Sequence, residues 1–195
     1  RGQRVAADIE ASGGTAMFVE THVEQEAEVA AFIQSAVDHF GPLNILVNNA
    51  GIRMYQTVVE ASAESWNSIL GVNLMGYVFG AKAAIPALRQ AGGGSIVNIA
   101  SIRSIVAGGN NLQYDTTKAA VAGLTRGLAM DHAVDGIRVN AVAPGPVDTA
   151  MAKAVHSPAI RADYHDAIPL GRYGLEEEIA EAVAKYPQLE VIVTP

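Results

Sequence analysis

Cysteine is absent from the 195 residues, which excludes a disulfide framework and any thiolate metal site. Aromatic residues are few, 6% with a single Trp, and charged residues make up only 17%. No basic cluster stands out against a net charge of −7, which speaks against nucleic acid and anionic membrane surfaces as partners. No uninterrupted apolar run approaches ~20 residues, the length a helical membrane span needs. The histidines do not fall at metal-ligand spacings, so no metal is expected. Repeats and low-complexity linkers are also missing. The chain begins at Arg1 with neither an initiator Met nor a signal-peptide pattern, and the expectation is a cytoplasmic protein.

Half of the residues are apolar, which rules out a disordered chain and suits strands buried on both faces. The length fits one α/β domain over residues 1–195. The pattern predicts a helix tail up to Ser12, a strand at Thr15–Glu20 and a helix at Glu24–Phe40. A short buried strand at Leu43–Val47 runs into Asn48-Asn49-Ala50-Gly51. Residues Ser62–Arg89 read as helix in one or two pieces, and Gly92-Gly93-Gly94 as the turn before a strand at Ser95–Ala100. A helix from Tyr114 to Ala133, a strand at Ile137–Val142, a helical flap at Met151–Ile168 and a helix at Leu175–Lys185 complete the order. Leu189–Val193 adds a candidate edge strand. Strands alternating with long helices imply a parallel sheet with right-handed crossovers.

Chemistry concentrates after the strand at Ser95–Ala100. Tyr114 and Lys118 are four residues apart and share one helix face. An ammonium beside a phenol favours the phenolate, so Lys118 is expected to lower the pKa of Tyr114 and give a proton donor and acceptor near neutrality. Ser101, at the end of the strand, is placed to meet them as a hydroxyl donor.

Ser101 followed thirteen residues later by Tyr114-x-x-x-Lys118 resembles the hallmark of the short-chain dehydrogenase/reductase family. Asn48-Asn49-Ala50-Gly51 is similar to the family's NNAG segment, and Pro144-Gly145-Pro146-Val147-Asp148-Thr149 to its Pro-Gly-x-Val/Ile-x-Thr loop. Read alone, the first is an Asn-rich turn and the second a proline-rich one. The resemblance implies a Rossmann-like, doubly wound parallel sheet in three α/β/α layers. It implies NAD or NADP as cofactor and a small-molecule alcohol or ketone as substrate.

It also implies roles. Tyr114 is the general acid/base, Ser101 holds the substrate oxygen, and Lys118 binds the nicotinamide ribose. Asn73 bends its helix and holds a water that links Lys118 to solvent. Asn49, with Ala50 and Gly51, contacts the adenosine side. The backbone at Pro144, Gly145 and Val147 and the hydroxyl of Thr149 hold the nicotinamide carboxamide. At Thr21-His22-Val23 the family usually carries Asp before Val. His22 is open to two readings, an adenine contact or a solvated loop histidine. A homodimer or homotetramer is implied, packed through the Ser62–Arg89 and Tyr114–Ala133 helices.

One motif of the family is not found. Its Thr-Gly-x-x-x-Gly-x-Gly turn, whose backbone amides cradle the pyrophosphate, occurs nowhere in the sequence. By motif spacing the first βαβ portion, about 35–40 residues, is expected to be missing before Arg1. Two expectations follow: weak dinucleotide binding, and an open apolar edge at Leu43–Val47. The alternative function is a non-catalytic truncated chain that acts only through subunit association.

Overall fold

The computed structural model describes residues 2–185. Three parallel strands form its sheet: β1 (Ile45–Asn48), β2 (Gly94–Ile99) and β3 (Ile137–Val142), with β2 in the middle. The register sets Leu46 beside Ile96 and Ile96 beside Val139, all three on one face. This row is the floor of the main core.

Helix α1 (Gly2–Ala11) leads the chain. Helix α2 (Glu26–Phe40) follows, with Val29 and Ile33 buried and a stop at Gly41, whose φ is 84°. Ser62 caps α3 (Ala63–Leu70) by accepting the Ser65 amide. A π-helical turn at Gly71–Met75 joins α3 to α4 (Gly76–Gln90). Ala81, Ala84, Ile85 and Leu88 of α4 pack on the Leu46–Ile96–Val139 row, with Ile33 of α2 behind them. Burying Ile33, Ile85 or Leu88 is worth roughly 1.5–3 kcal/mol each. Gly80 lets α4 approach the end of β1, because a Cβ there would meet Asn48 Oδ1 at 2.5 Å.

Helix α5 (Leu112–His132) lies over the same face, with Val121 buried against Tyr77 and Ala100. Beyond β3 come two short helices, α6 (Ala150–Val155) and α7 (Pro158–Ala167), where a single flap was expected. Helix α8 (Glu176–Lys185) covers the second face, setting Ile179, Ala182 and Val183 against Val97 and Val142. The expected Leu189–Val193 strand lies outside the described residues.

Two expectations need correction. Thr15–Glu20 joins no sheet. Strand propensity gives an extended chain, but a strand exists only through its hydrogen-bonded neighbour, and none is present among the described residues. Phe18 lies instead with its ring on Gly2 of α1, 44% exposed. The open edge at β1 is as anticipated, and its second face is uncovered too: Ile45 and Val47 are 46% and 42% exposed.

The second concerns membranes. The continuous helical run Ala63–Gln90 has a mean hydropathy of 1.4 and is long and apolar enough, by length and composition, to cross a bilayer. The charged residues that interrupt it in the sequence, such as Lys82, hid this. Ile69, Tyr77, Ala84 and Leu88 of this run are 0–1% exposed and belong to the core, while Met75 is 38% exposed.

Candidate active site

The carboxyl ends of the three strands open into one cleft of about 950 Å³. In open α/β sheets this is where ligands bind, because the loops after the strands diverge there. β1 delivers Asn49-Ala50-Gly51, β2 delivers Ser101, α5 delivers Tyr114 and Lys118, and β3 delivers Pro144 to Thr149; all of these segments line the cleft.

Tyr114 sits in the first turn of α5, and Thr117 Oγ1 donates to its carbonyl at 2.8 Å. Burial pushes its phenol above the ordinary value of 10.0; Ser101 and the cations Arg53 and Arg103 pull the other way. The lowering expected from Lys118 is not found. Lys118 Nζ donates to the Ile99 carbonyl at 2.6 Å and to Tyr77 Oη at 3.5 Å, and stands 5.7 Å from the centre of the Tyr114 ring. Those bonds satisfy the ammonium within the protein, and its own pKa falls to about 8 through burial. Ser101 accepts the Arg103 amide at 3.2 Å, which orients its hydroxyl at the mouth of β2.

Asn73 occupies the π-helical turn and is fully buried. Its Oδ1 accepts the Ile52 amide at 2.8 Å; its Nδ2 donates to the Ile52 carbonyl at 2.9 Å and to Thr117 Oγ1 at 3.2 Å. It therefore ties the segment after β1 to the helix that carries Tyr114. The extra residue of the π turn is what aims this amide inward.

Thr149 caps α6 by accepting the Ala152 amide at 3.1 Å, which leaves its hydroxyl proton free to donate. Val147 pairs with Gly174 in an isolated parallel bridge, which fixes the loop after β3. His22 lines no part of the cleft. Its Nδ1 is 3.0 Å from Glu28 Oε2, which also accepts its amide, and that carboxylate raises the histidine pKa. Val23 borders a smaller cleft of about 170 Å³ shared with Asn49 and Ala50.

A buried polar chain escaped the sequence reading: Asn48 Nδ2 donates to Asn98 Oδ1 at 2.9 Å, and Asn98 Nδ2 to Thr125 Oγ1 at 3.0 Å. It links β1, β2 and α5 beneath the cleft. The signal was an Asn inside each strand, readable only once the register pairs Asn48 with Asn98.

A family model described as enoyl-(acyl carrier protein) reductase matches residues 1–185. Cis-4-hydroxycyclohexanecarboxylate dehydrogenase of Sinomonas cyclohexanicum is 39% identical over 181 residues, covering 92% of this chain and 72% of that protein. The chain belongs to the short-chain dehydrogenase/reductase family. Glucose 1-dehydrogenase 2 of Bacillus subtilis is 35% identical over 178 residues, 90% of this chain and 69% of that one. The crystal structure of a gluconate 5-dehydrogenase from Burkholderia cenocepacia, in complex with NADP and tartrate, superposes with a TM-score of 0.88 at 32% identity. That match covers 93% of this chain and 72% of the other.

As a short-chain dehydrogenase/reductase, the protein is an NAD(P)-dependent enzyme with NAD or NADP as its cofactor. The residues present fit the nicotinamide end of such a molecule. Lys118, Tyr114 and the loop from Pro144 to Thr149 face one cleft roomy enough for it, with a cation, hydroxyl donors and a fixed backbone.

Proposed function

We propose that this cleft interconverts a secondary alcohol and a ketone, with Tyr114 as the general acid/base. The observation that carries the reading is the meeting of Tyr114, Ser101 and Lys118 at one wall of the cleft. NAD or NADP, when bound, supplies or accepts the hydride. In the reducing direction the Tyr114 hydroxyl gives its proton to the carbonyl oxygen, which Ser101 holds by donating a hydrogen bond. A neutral phenol, kept protonated by burial, is the form this step needs. In the oxidising direction the phenolate takes the alcohol proton back.

Lys118, titrating near pH 8, reloads or drains that proton, and binding the nicotinamide ribose belongs to the same reading. Asn73 positions the two segments around it, with a water relay to solvent as its further role. Asn49, Ala50 and Gly51 lie on the adenosine side of the cofactor, with Val23 beyond them. Pro144, Gly145, Val147 and Thr149 hold the carboxamide. We read the 195 residues by themselves as a weak dinucleotide binder, because the Thr-Gly-x-x-x-Gly-x-Gly turn that would answer the pyrophosphate does not occur in them. A cytoplasmic homodimer or homotetramer completes the proposal.

Tyr114→Phe is the test. With saturating cofactor and a ketone substrate, turnover should fall by about 10²–10⁴-fold while circular dichroism and Tm stay unchanged. Retained turnover overturns the role of Tyr114. The exposed Ile45 and Val47 favour a second reading, a non-catalytic chain that acts through subunit association. Absence of turnover in the parent chain, with full association, would select it.

A further inference from the structure

Two guanidinium groups line the cleft with Tyr114 and have no carboxylate partner among the described residues. Arg53 stacks its Cζ 4.7 Å from the centre of the Tyr55 ring and 5.1 Å from that of Tyr114. Its Nε donates to Asn111 Oδ1 at 3.0 Å. Arg103 donates from Nη2 to Tyr164 Oη at 3.0 Å. Both are half-buried and both line the large cleft. The neighbouring arginines are different: Arg161 donates to Asp148 at 2.7 Å, and Arg172 grips both oxygens of Glu178 at 2.9 and 2.7 Å. Among the described residues, neither Arg53 nor Arg103 has such a partner. The nearby Asp115 carboxylate accepts the Gly108 amide instead.

Withdrawing a cation from water costs free energy unless an anion or acceptor compensates. A planar guanidinium suits an oxyanion, because two parallel N–H groups match two oxygens. The aromatic stacking of Arg53 holds its plane fixed, so little rotamer freedom is lost when it binds. Arg53 lies against the Tyr114 ring, and Arg103 donates its amide to Ser101 Oγ and lines the same cleft, which places both within reach of a molecule reacting there.

We propose that Arg53 and Arg103 form an oxyanion subsite, and that the substrate is a hydroxy acid or oxo acid. Its carboxylate sits between the two guanidinium groups while its alcohol or carbonyl carbon faces Tyr114. The inference rests on reading the cleft as a dehydrogenase site, but its test needs no cofactor.

Cyclohexanecarboxylate, cyclohexanecarboxamide and inorganic phosphate would each be titrated into the cofactor-free chain at low ionic strength, followed by calorimetry and amide NMR shifts. The acid should bind at least about tenfold tighter than the carboxamide, with shifts at residues around Tyr114, because only the acid carries the charge. The double substitution Arg53→Gln with Arg103→Gln should remove that preference without moving Tm. Equal binding of acid and carboxamide overturns the proposal. So does a folded double variant that keeps the preference, and so does phosphate binding tighter than the acid, which would move the substrate class to phosphate esters. If the double variant does not fold, the acid-to-carboxamide ratio in the parent chain decides, with Arg53→Lys and Arg103→Lys singly expected to weaken it. Failure here with turnover lost in Tyr114→Phe leaves the dehydrogenase reading standing. Acid binding with turnover kept in Tyr114→Phe removes the role of Tyr114 and leaves the subsite.

Discussion

At Tyr114 the burial of the phenol outweighs the cations around it, so the free chain holds a protonated hydroxyl near neutrality. Lys118 shows the same force on the other charge type. Burial holds its ammonium at about 8 against an ordinary 10.5, so between those values the unfolded chain binds more protons than the folded one. Stability from this group therefore rises as pH climbs from 8 towards 10.5, and below 8 the buried cation is a constant penalty. Lys118→Met removes the slope. The Tm difference, parent minus variant, should grow across that range, and a flat difference would contradict the burial of the charge. Asn73→Leu is the sharper structural test. It strips both backbone groups of Ile52 of their partner, each costing about 1–3 kcal/mol when buried, so urea denaturation should report a loss of that order or more. The spacing of Ser101, Tyr114 and Lys118 was legible in the sequence because it is local. The pKa of Tyr114 was not, because the neighbours that bury it come from distant segments, and the separation of Lys118 Nζ from the phenol depends on a bond to the Ile99 carbonyl.

Among the elements, β1 decides how the chain behaves at concentration. One edge pairs with β2, the other is free among the described residues, and Ile45 and Val47 project from the same face as Val97, which α8 covers over β2 and β3 but leaves bare at β1. Exposed apolar strand edges recruit other chains. Val47→Lys should shift sedimentation towards smaller species, and unchanged sedimentation would show that association runs through another surface. The positions of β1, β2, β3 and α5 were legible, since continuous apolar runs and helical periodicity mark them. Thr15–Glu20 shows where that reading fails: its residues favour an extended chain, but the ladder that would make it a strand is a property of two segments. A bend at Asn73 was expected from the resemblance, but its form as a π turn and the partner it serves, Ile52, were not legible, because that partner is 21 residues away.

For the whole molecule, the proposal puts the nicotinamide side of a dinucleotide in the cleft, and the 195 residues contain no Thr-Gly-x-x-x-Gly-x-Gly turn for the pyrophosphate. Fluorescence titration with NADH and NADPH should give a Kd above about 100 µM, and a value near 1 µM would refute this. The parallel order of the sheet has one more consequence, in time. Asn48 and Asn98, bonded partners in adjacent strands, are 50 residues apart in the chain. At about 5–20 residues per second of synthesis, β1 waits roughly 3–10 s on the ribosome before β2 exists to pair with it. Throughout that interval Ile45, Leu46 and Val47 form a nascent apolar segment whose partner among the described residues, β2, has not yet been made, so chaperone capture during translation should map to these residues.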